Sequence, residues 1–258
     1  MKLADLISIL DCPKVQGNLD REVTGLAYDS RAIAPGQGYV AIRGLQQNGH
    51  QFIGEAIAKG ATAVVVDNWW PLKGIVTTPQ TQPCIIRVQD TRRALSALAS
   101  QFYGRPSHRL GLIGVTGTNG KTTSTYLIKR VLEAARKKVG LLGTVGYQIG
   151  PEMLRASHTT PESLDLQGLL AQMVQAGMEY SVMEVSSHAL ALERVADCAF
   201  DVAVFTNLSQ DHLDFHADIE DYFRAKLKPF STLGTGNPKS FPRMAVVNGD
   251  DPRVSEVI

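Results

Sequence analysis

Gly114-Val-Thr-Gly-Thr-Asn-Gly-Lys-Thr122 is the stretch that decides the fold of the second half of this chain. It follows the apolar run Leu110-Gly-Leu-Ile-Gly-Val115, which predicts a buried strand, and a helix is predicted after it, from about Lys121 to Arg136. Glycines between a strand and a helix let backbone N–H groups approach phosphate oxygens, and the helix N-terminus adds a positive dipole end. The stretch therefore predicts a phosphate-binding loop.

The last residues of this loop predict how it binds a nucleotide. Lys121 is placed to reach the β- and γ-phosphates, and the hydroxyl of Thr122 is placed to hold Mg²⁺. Val115 stands where the common pattern has its first glycine, so the glycine spacing is G-x-x-G-x-x-G-K-T. We predict that ATP, with Mg²⁺, is bound by Gly117, Thr118, Asn119, Gly120, Lys121, Thr122 and Thr123.

Strand-like and helix-like segments alternate along the whole chain, which predicts an α/β fold with mainly parallel sheets. We expect an N-terminal domain over residues 1–89, a connecting helix and linker over 90–107, and an ATP-binding domain over 108–258. Asp90 is placed to cap the connecting helix. Ligands of parallel α/β sheets bind at the carboxyl ends of the strands, so the site is expected at that edge.

Bulk composition restricts the function further. Charged residues make up 20% of the 258 residues and the formal net charge is +1, so no whole-chain field favours nucleic acid or an anionic membrane. The three cysteines are far apart in sequence, which argues against a disulfide framework and favours the cytoplasm. No apolar run is long enough to span a bilayer. We expect no nucleic-acid partner, no membrane insertion and a monomer.

Two further segments carry candidate ligands. Glu184 ends the apolar run that begins at Tyr180, so its carboxylate is placed to bind Mg²⁺ beside the phosphates, although a solvent-facing acid would fit the pattern equally. His212 and His216 lie four residues apart, a spacing that also suits zinc on a helix, but no third ligand is evident and magnesium is favoured. An ordinary packing role for His216 is kept. Helical periodicity alone predicts that Lys226 is a solvated surface residue.

Together these motifs resemble the Mur ligase family, and within it the enzymes that add the third residue of the peptidoglycan peptide. The matching stretches, in the family's order, are Asp29-Ser-Arg31, Gly114 to Thr123, Thr159-Thr-Pro-Glu162, Glu184-Val-Ser-Ser-His-Ala-Leu190 with Arg194, Asn207 to His216, Tyr222 with Ala225-Lys226, and Asn248-Gly-Asp-Asp251. The resemblance implies a small N-terminal UDP-binding α/β domain followed by a phosphate-loop ATPase domain.

Site residues follow from the resemblance, position by position. Ser30, with Gln46 and Gln47, matches contacts to the uridine part of the substrate. The muramyl-dipeptide contacts are matched by Thr159, Thr160, Ser186 and Arg194. The magnesium ligands are matched by Thr122, Glu184 and His212. Lys226 matches a lysine that becomes carbamylated and bridges to metal, which replaces the surface interpretation. The implied catalytic residues are Lys121, His212 and carbamylated Lys226.

The implied reaction is ATP-dependent amide formation through an acyl phosphate, with UDP-N-acetylmuramoyl-L-alanyl-D-glutamate and ATP as substrates. Nothing in the sequence selects meso-diaminopimelate or L-lysine as the added residue. Family members continue into a third domain after the position of Ile258, so we expect a truncated chain without its C-terminal domain and without ligase activity of its own. The alternatives are a non-catalytic UDP-sugar or nucleotide-binding fragment, and another Mur-like ligase such as cyanophycin or folylpolyglutamate synthetase.

Overall fold

The computed structural model describes residues 1–45, 47–71, 82–211, 214–233 and 239–257. The chain divides into two compact units, Met1–Gly104 and Arg105–Ile258. Each unit is built around one mainly parallel sheet, which confirms the predicted α/β class. No helix within the described ranges is long and apolar enough to cross a membrane.

The first unit contains a five-stranded sheet with the order β1-β5-β4-β3-β2. Four of its strands run parallel, and β1 pairs antiparallel with β5. Its elements are α1 (Leu3–Ile7), β1 (Lys14–Gln16), β2 (Leu26–Ala27), β3 (Gly38–Val40), α2 (Ile53–Ala58), β4 (Ala63–Asp67), β5 (Cys84–Val88) and α3 (Thr91–Phe102).

Helix α3 begins where the sequence predicts, because the carboxylate of Asp90 accepts hydrogen bonds from the backbone N–H groups of Arg92 (2.7 Å) and Arg93 (3.2 Å). Its apolar face, which includes Leu95 and Leu98, is buried. The helix packs on α1 and β4 of the same unit. The segment expected to connect two domains therefore contributes its helix to the first unit, and the boundary between the units falls after Gly104.

The second unit contains a seven-stranded sheet with the order β12-β11-β6-β10-β7-β8-β9, parallel except for the antiparallel pairs that join β7, β8 and β9. Its elements are β6 (Gly111–Thr116), α4 (Lys121–Ala134), β7 (Val139–Leu142), β8 (Tyr147–Ile149), β9 (Glu152–Leu154), α5 (Ser163–Gln175), β10 (Tyr180–Glu184), α6 (Ser187–Ala191), β11 (Val202–Phe205), α7 (Ile219–Ser231) and β12 (Met244–Val247).

Helices cover both faces of this sheet. Ile128 and Leu132 of α4 pack on the face formed by Ile113, Val139 and Val182. Leu166, Leu169, Leu170 and Met173 of α5 belong to the cluster on the opposite face. Because β6, β7, β10, β11 and β12 are parallel, their carboxyl ends lie at one edge, and the segments that follow these strands meet there.

Candidate active site

The phosphate loop joins β6 to α4 at the carboxyl edge of the second sheet. Gly117 and Gly120 have φ angles of +140° and +83°, which side-chain-bearing L-residues rarely adopt. A Cβ atom on Gly117 would also stand 1.9 Å from Oγ1 of Thr206. Gly114, which the sequence pattern groups with these glycines, lies inside β6 instead. The loop therefore depends on two glycines, and Lys121 is the first residue of α4.

The segment after β11 holds the phosphate loop in place. The backbone N–H of Thr118 donates to the Asn207 carbonyl oxygen (2.8 Å), and that of Asn119 donates to Oδ1 of Asn207 (3.0 Å). In return, the Thr206 hydroxyl donates to the carbonyl oxygen of Asn119 (2.7 Å). These bonds leave the first N–H groups of α4 as the anion-binding end, because they have no carbonyl partner within the helix.

Two lysines converge on one carbonyl oxygen of the loop. Nζ of Lys121 donates to the carbonyl oxygens of Gly117 (3.0 Å) and Thr118 (2.8 Å), and Nζ of Lys226 donates to the same oxygen of Gly117 (2.7 Å). Lys226 is only 1% exposed, so the surface position predicted from helical periodicity is wrong. Burial in α7, reinforced by the charge of Lys121, lowers the pKa of Lys226 to about 7. Burial likewise lowers the pKa of Lys121.

Glu184 is the last residue of β10, and it is buried rather than solvent-facing. Its Oε2 accepts a hydrogen bond from the Thr122 hydroxyl (2.9 Å), and its Oε1 accepts one from the backbone N–H of Thr144 (2.8 Å). The hydroxyl of Thr144 lies 3.3 Å from Oε2. The Glu184 carboxylate is thus fixed by Thr122 and Thr144, beside the hydroxyl predicted to bind magnesium.

The predicted peptide-binding residues lie next to Glu184. The Thr160 hydroxyl donates to the Glu184 carbonyl oxygen (2.8 Å) and accepts from the backbone N–H of Ser186 (3.1 Å). Nη1 of Arg194 donates to the Thr160 carbonyl oxygen (3.1 Å), and Nε of Arg194 lies 3.3 Å from Oε2 of Glu162. The guanidinium of Arg194 is therefore held by protein groups on two of its sides.

A single cleft of about 380 Å³ brings most of these groups together. Its lining comprises Thr118, Asn119, Gly120, Lys121, Thr122, Thr123, Thr144, Thr159, Glu184, Ser186, Ser187 and Lys226. The lining is almost entirely polar and includes two lysines and one carboxylate, a composition suited to a polyanionic ligand.

The Asn207 to His216 segment is described in part. His212, predicted as a magnesium ligand, lies outside the described residues. His216 is buried, with Nδ1 3.0 Å from Oδ2 of Asp221, and its ring packs beside that of Tyr222. The Tyr222 hydroxyl lies 3.1 Å from Oγ1 of Thr118 in the phosphate loop. The packing interpretation of His216 is therefore the one that these contacts support.

The predicted uridine contacts belong to the first unit. Ser30 follows β2, and its hydroxyl donates to Oε2 of Glu55 (2.9 Å), while Nζ of Lys59 donates to its carbonyl oxygen (3.0 Å). Asp29 accepts from the backbone N–H and from the guanidinium of Arg31. Gln47 lies after β3 and is exposed. Gln46 lies outside the described residues.

Comparison with known families assigns both units. Residues 115–258 match the model described as the Mur ligase middle domain, and residues 22–103 match the one described as the Mur ligase family catalytic domain. The chain belongs to the Mur ligase family. The predicted resemblance is thereby confirmed.

Individual relatives show which Mur ligases this chain resembles. The chain is 45% identical over 257 residues to UDP-N-acetylmuramoyl-L-alanyl-D-glutamate--2,6-diaminopimelate ligase of Syntrophomonas wolfei, and 47% identical over 252 residues to the ligase of the same name from Geobacillus thermodenitrificans. All or nearly all of this chain (100% and 98%) aligns with 50% of each relative. A solved structure of a ligase of that name superposes with a TM-score of 0.77 at 26% identity, covering 100% of this chain and 49% of the other. The chain thus spans about half the length of the curated relatives it matches.

In this Mur ligase chain one cleft is lined by Lys121, Thr122, Glu184 and Lys226 together with Thr159 and Ser186. Thr160 is buried and is not in this lining; it contacts Glu184 and Ser186, and Arg194 contacts Thr160. Sequence reasoning missed Thr144, which contacts both the Glu184 carboxylate and Thr159. Its position two residues after the apolar run Val139-Gly-Leu-Leu142, which forms β7, is the signal that could have found it. Ser30 and Gln47 belong to the other unit and are not part of this cleft.

Proposed function

We propose that the full-length protein carrying this chain is an ATP-dependent amide ligase of peptidoglycan synthesis. It would add 2,6-diaminopimelate to UDP-N-acetylmuramoyl-L-alanyl-D-glutamate, the reaction for which the relatives at 45% and 47% identity are named. The observation that carries the proposal is the shared cleft, in which the phosphate loop, the Glu184 carboxylate and two of the predicted peptide-binding residues, Thr159 and Ser186, lie together. The first unit would hold the uridine end through Ser30, Gln46 and Gln47.

The donor set at Glu184 fits Mg²⁺. The Thr122 hydroxyl and the Glu184 carboxylate are hard oxygen ligands 2.9 Å apart, and Mg²⁺ in nucleotide sites is held by one or two such groups together with phosphate oxygens and water. His212 is the third proposed ligand. When bound, the ion would neutralise charge on the phosphate groups.

Lys226 fits the proposed carbamylation. The neutral amine of a lysine attacks CO₂, forming an N–C bond and releasing one proton, and the product is a carboxylate. A pKa of about 7 leaves a large share of this amine neutral near physiological pH. The modified side chain would place a second carboxylate beside the phosphate loop, where it could take part in holding the metal.

The remaining groups account for the two chemical steps. The side-chain carboxylate of the D-glutamyl residue would attack the γ-phosphorus of ATP, giving an acyl phosphate and ADP, and the incoming amine would then displace phosphate. Lys121 would leave its loop carbonyls to contact the transferring phosphoryl group. Thr159, Thr160, Ser186 and Arg194 would orient the peptide end, which reduces the barrier by positioning.

Substitution of the loop lysine tests the proposal in the full-length protein. Lys121→Ala is expected to lower ADP formation by about 100-fold or more in the presence of the UDP-dipeptide and diaminopimelate. Lys137→Ala is the matched control, because Lys137 lies just beyond α4 and pairs with Glu179 at the surface. Near-normal turnover in Lys121→Ala would show that the loop has no catalytic role.

Direct binding separates the ligase from a non-catalytic binding protein. Titration of the unmodified protein with ATP and with the UDP-dipeptide, followed by a turnover assay with diaminopimelate or L-lysine, gives distinct outcomes. Binding of both ligands without phosphate release from either amino acid would favour the binding protein. Turnover with L-lysine alone would overturn the proposed third amino acid.

Cytoplasmic location is part of the same proposal. Cys12, Cys84 and Cys198 are all free, as is usual in a reducing compartment. A monomer remains a prediction that size-exclusion chromatography with light scattering of the full-length protein can check.

A further inference from the structure

The hydroxyl group of Thr144 contacts two parts of the cleft, the proposed metal site and the proposed peptide site. The residue follows β7 at the carboxyl edge of the sheet, two positions after Leu142. Its Oγ1 lies 3.3 Å from Oε2 of Glu184 and 3.0 Å from Oγ1 of Thr159. Glu184 belongs to the proposed metal end of the cleft and Thr159 to the proposed peptide end, so this hydroxyl links the two side chains.

The donor and acceptor properties of Thr144, Glu184 and Thr159 determine the direction of the two hydrogen bonds. An ionised carboxylate only accepts hydrogen bonds, so the single proton of the Thr144 hydroxyl is donated to Glu184. The Thr144 oxygen can then only accept a hydrogen bond from Thr159. The single hydroxyl proton of Thr159 is therefore donated to Thr144. What Thr159 still offers to the cleft is an oxygen lone pair, which requires a donor on the ligand.

We propose that Thr144 is a positioning residue that orients the Thr159 hydroxyl to accept a hydrogen bond from an amide N–H of the peptide part of the substrate. This inference rests on the proposed function and assigns a role within it. The proposed role of Thr159 is more specific than a general polar contact, because Thr159 would recognise an N–H donor of the ligand and not a carboxylate oxygen.

A purely structural role for the Thr144 hydroxyl fits the contacts less well. The backbone N–H of Thr144 already holds Oε1 of Glu184 at 2.8 Å, and the Thr122 hydroxyl already donates to Oε2. Thr144 is exposed and lines the cleft. Removing its hydroxyl therefore leaves Glu184 with two donors, and the local fold does not depend on the third.

Valine substitutions test the link, since valine keeps the shape of threonine without its hydroxyl. We measure the Kd of the UDP-dipeptide by calorimetry with the full-length protein, in the absence of ATP and amino acid. Thr144→Val and Thr159→Val are each expected to raise the Kd by about fivefold, the effect of one ordinary hydrogen bond. Thr144→Ser, which restores the hydroxyl, is the matched control and is expected to bind as the unmodified protein does.

The double variant shows whether the two hydroxyls act as one unit. If Thr144 acts through Thr159, the combined Thr144→Val and Thr159→Val protein binds no more weakly than Thr159→Val alone. A Kd raised by about 25-fold in the double variant, the product of the two single effects, would show that the two hydroxyls act independently and would overturn the proposal. An unchanged Kd in Thr144→Val would overturn it as well.

A substrate analogue tests the donor. Replacing the L-alanyl-D-glutamate amide by an ester removes its N–H, and this is expected to weaken binding about fivefold to the unmodified protein and not at all to Thr159→Val. Equal binding of amide and ester to the unmodified protein would overturn the recognition of this N–H. Failure of the proposed function is distinguishable, because it shows in the unmodified protein, as absent turnover or absent binding of the UDP-dipeptide, before any variant is compared.

Discussion

Gly143→Ala perturbs the site through one methyl group. Gly143 precedes Thr144, and a Cβ atom built on it would stand 2.3 Å from Oε1 and 3.1 Å from Cδ of Glu184. Ordinary van der Waals contact begins at 3.4 Å, so the carboxylate has to move by about 1 Å. Gly143 does not have a positive φ, and the whole effect is therefore steric.

This displacement of the Glu184 carboxylate is large enough to break the two short hydrogen bonds that it accepts. A shift of about 1 Å takes Oε1 and Oε2 beyond hydrogen-bonding range of the Thr144 N–H and the Thr122 hydroxyl, now at 2.8 and 2.9 Å. Overpacking of this kind lowers the free energy of unfolding by about 1–3 kcal/mol. A catalytic group misplaced by about 1 Å reduces the rate by about 100-fold.

Initial rates of phosphate release by the full-length protein, measured over a range of Mg²⁺ concentrations, check this expectation. We expect Gly143→Ala to show about 100-fold slower turnover and a higher half-saturating Mg²⁺ concentration. The control is Gly54→Ala in α2, where nothing lies within 4 Å of the new Cβ; it should keep full activity and raise the free energy of unfolding by about 0.4–1 kcal/mol. Wild-type turnover and Mg²⁺ dependence in Gly143→Ala would refute the placement of Glu184 at the reaction centre.

Two further predictions concern buried charge. Asp201→Asn removes the carboxylate that pairs with Nζ of Lys239 (2.6 Å), whose side chain is only 6% exposed. Chemical denaturation at pH 7 should therefore show a free energy of unfolding lower by about 3 kcal/mol. A loss below about 1 kcal/mol would show that the carbonyl partners of Lys239 suffice. His50 is buried, accepts from the Asp67 N–H at Nε2, and has a pKa held below its usual 6.5 by burial. The folded state therefore binds fewer protons than the unfolded chain, so the stability that neutral His50 contributes is complete above pH 6.5 and is lost as the pH falls below it. His50→Gln should flatten the decline in unfolding free energy between pH 7.5 and 5, and parallel curves for the two proteins would contradict this.

The strand–loop–helix core of the site was predictable because local sequence fixes it. A run of apolar residues, glycines in the turn and Gly-Lys-Thr at the helix start each act within a few residues, and β6 and α4 lie where they are predicted. The same holds for Glu184, whose position at the end of a buried strand follows from the run that begins at Tyr180.

The elements that escaped prediction depend on partners distant in sequence. Strands β8 and β9 have three residues each, too few for a period of two to stand out from the sequence, and all three residues of β9 are exposed. Strand β1 is likewise exposed and exists through its pairing with β5. Lys226 looked like a surface residue because periodicity cannot show that its helix lies against the phosphate loop, where the Gly117 carbonyl accepts from Nζ.

Two ammonium groups on the Gly117 carbonyl oxygen have a consequence for reactivity. The two nitrogens lie less than about 6 Å apart, because each is hydrogen-bonded to the same oxygen. At an effective dielectric constant of about 20 the two charges repel each other by roughly 3 kcal/mol, and the loss of one proton removes this repulsion. With a pKa of about 7, roughly half of the Lys226 amines are neutral nucleophiles at pH 7, whereas an ordinary lysine offers about one in 3,000. Burial of Lys226, reinforced by the charge of Lys121, thus favours the neutral, nucleophilic amine that the proposed carbamylation requires.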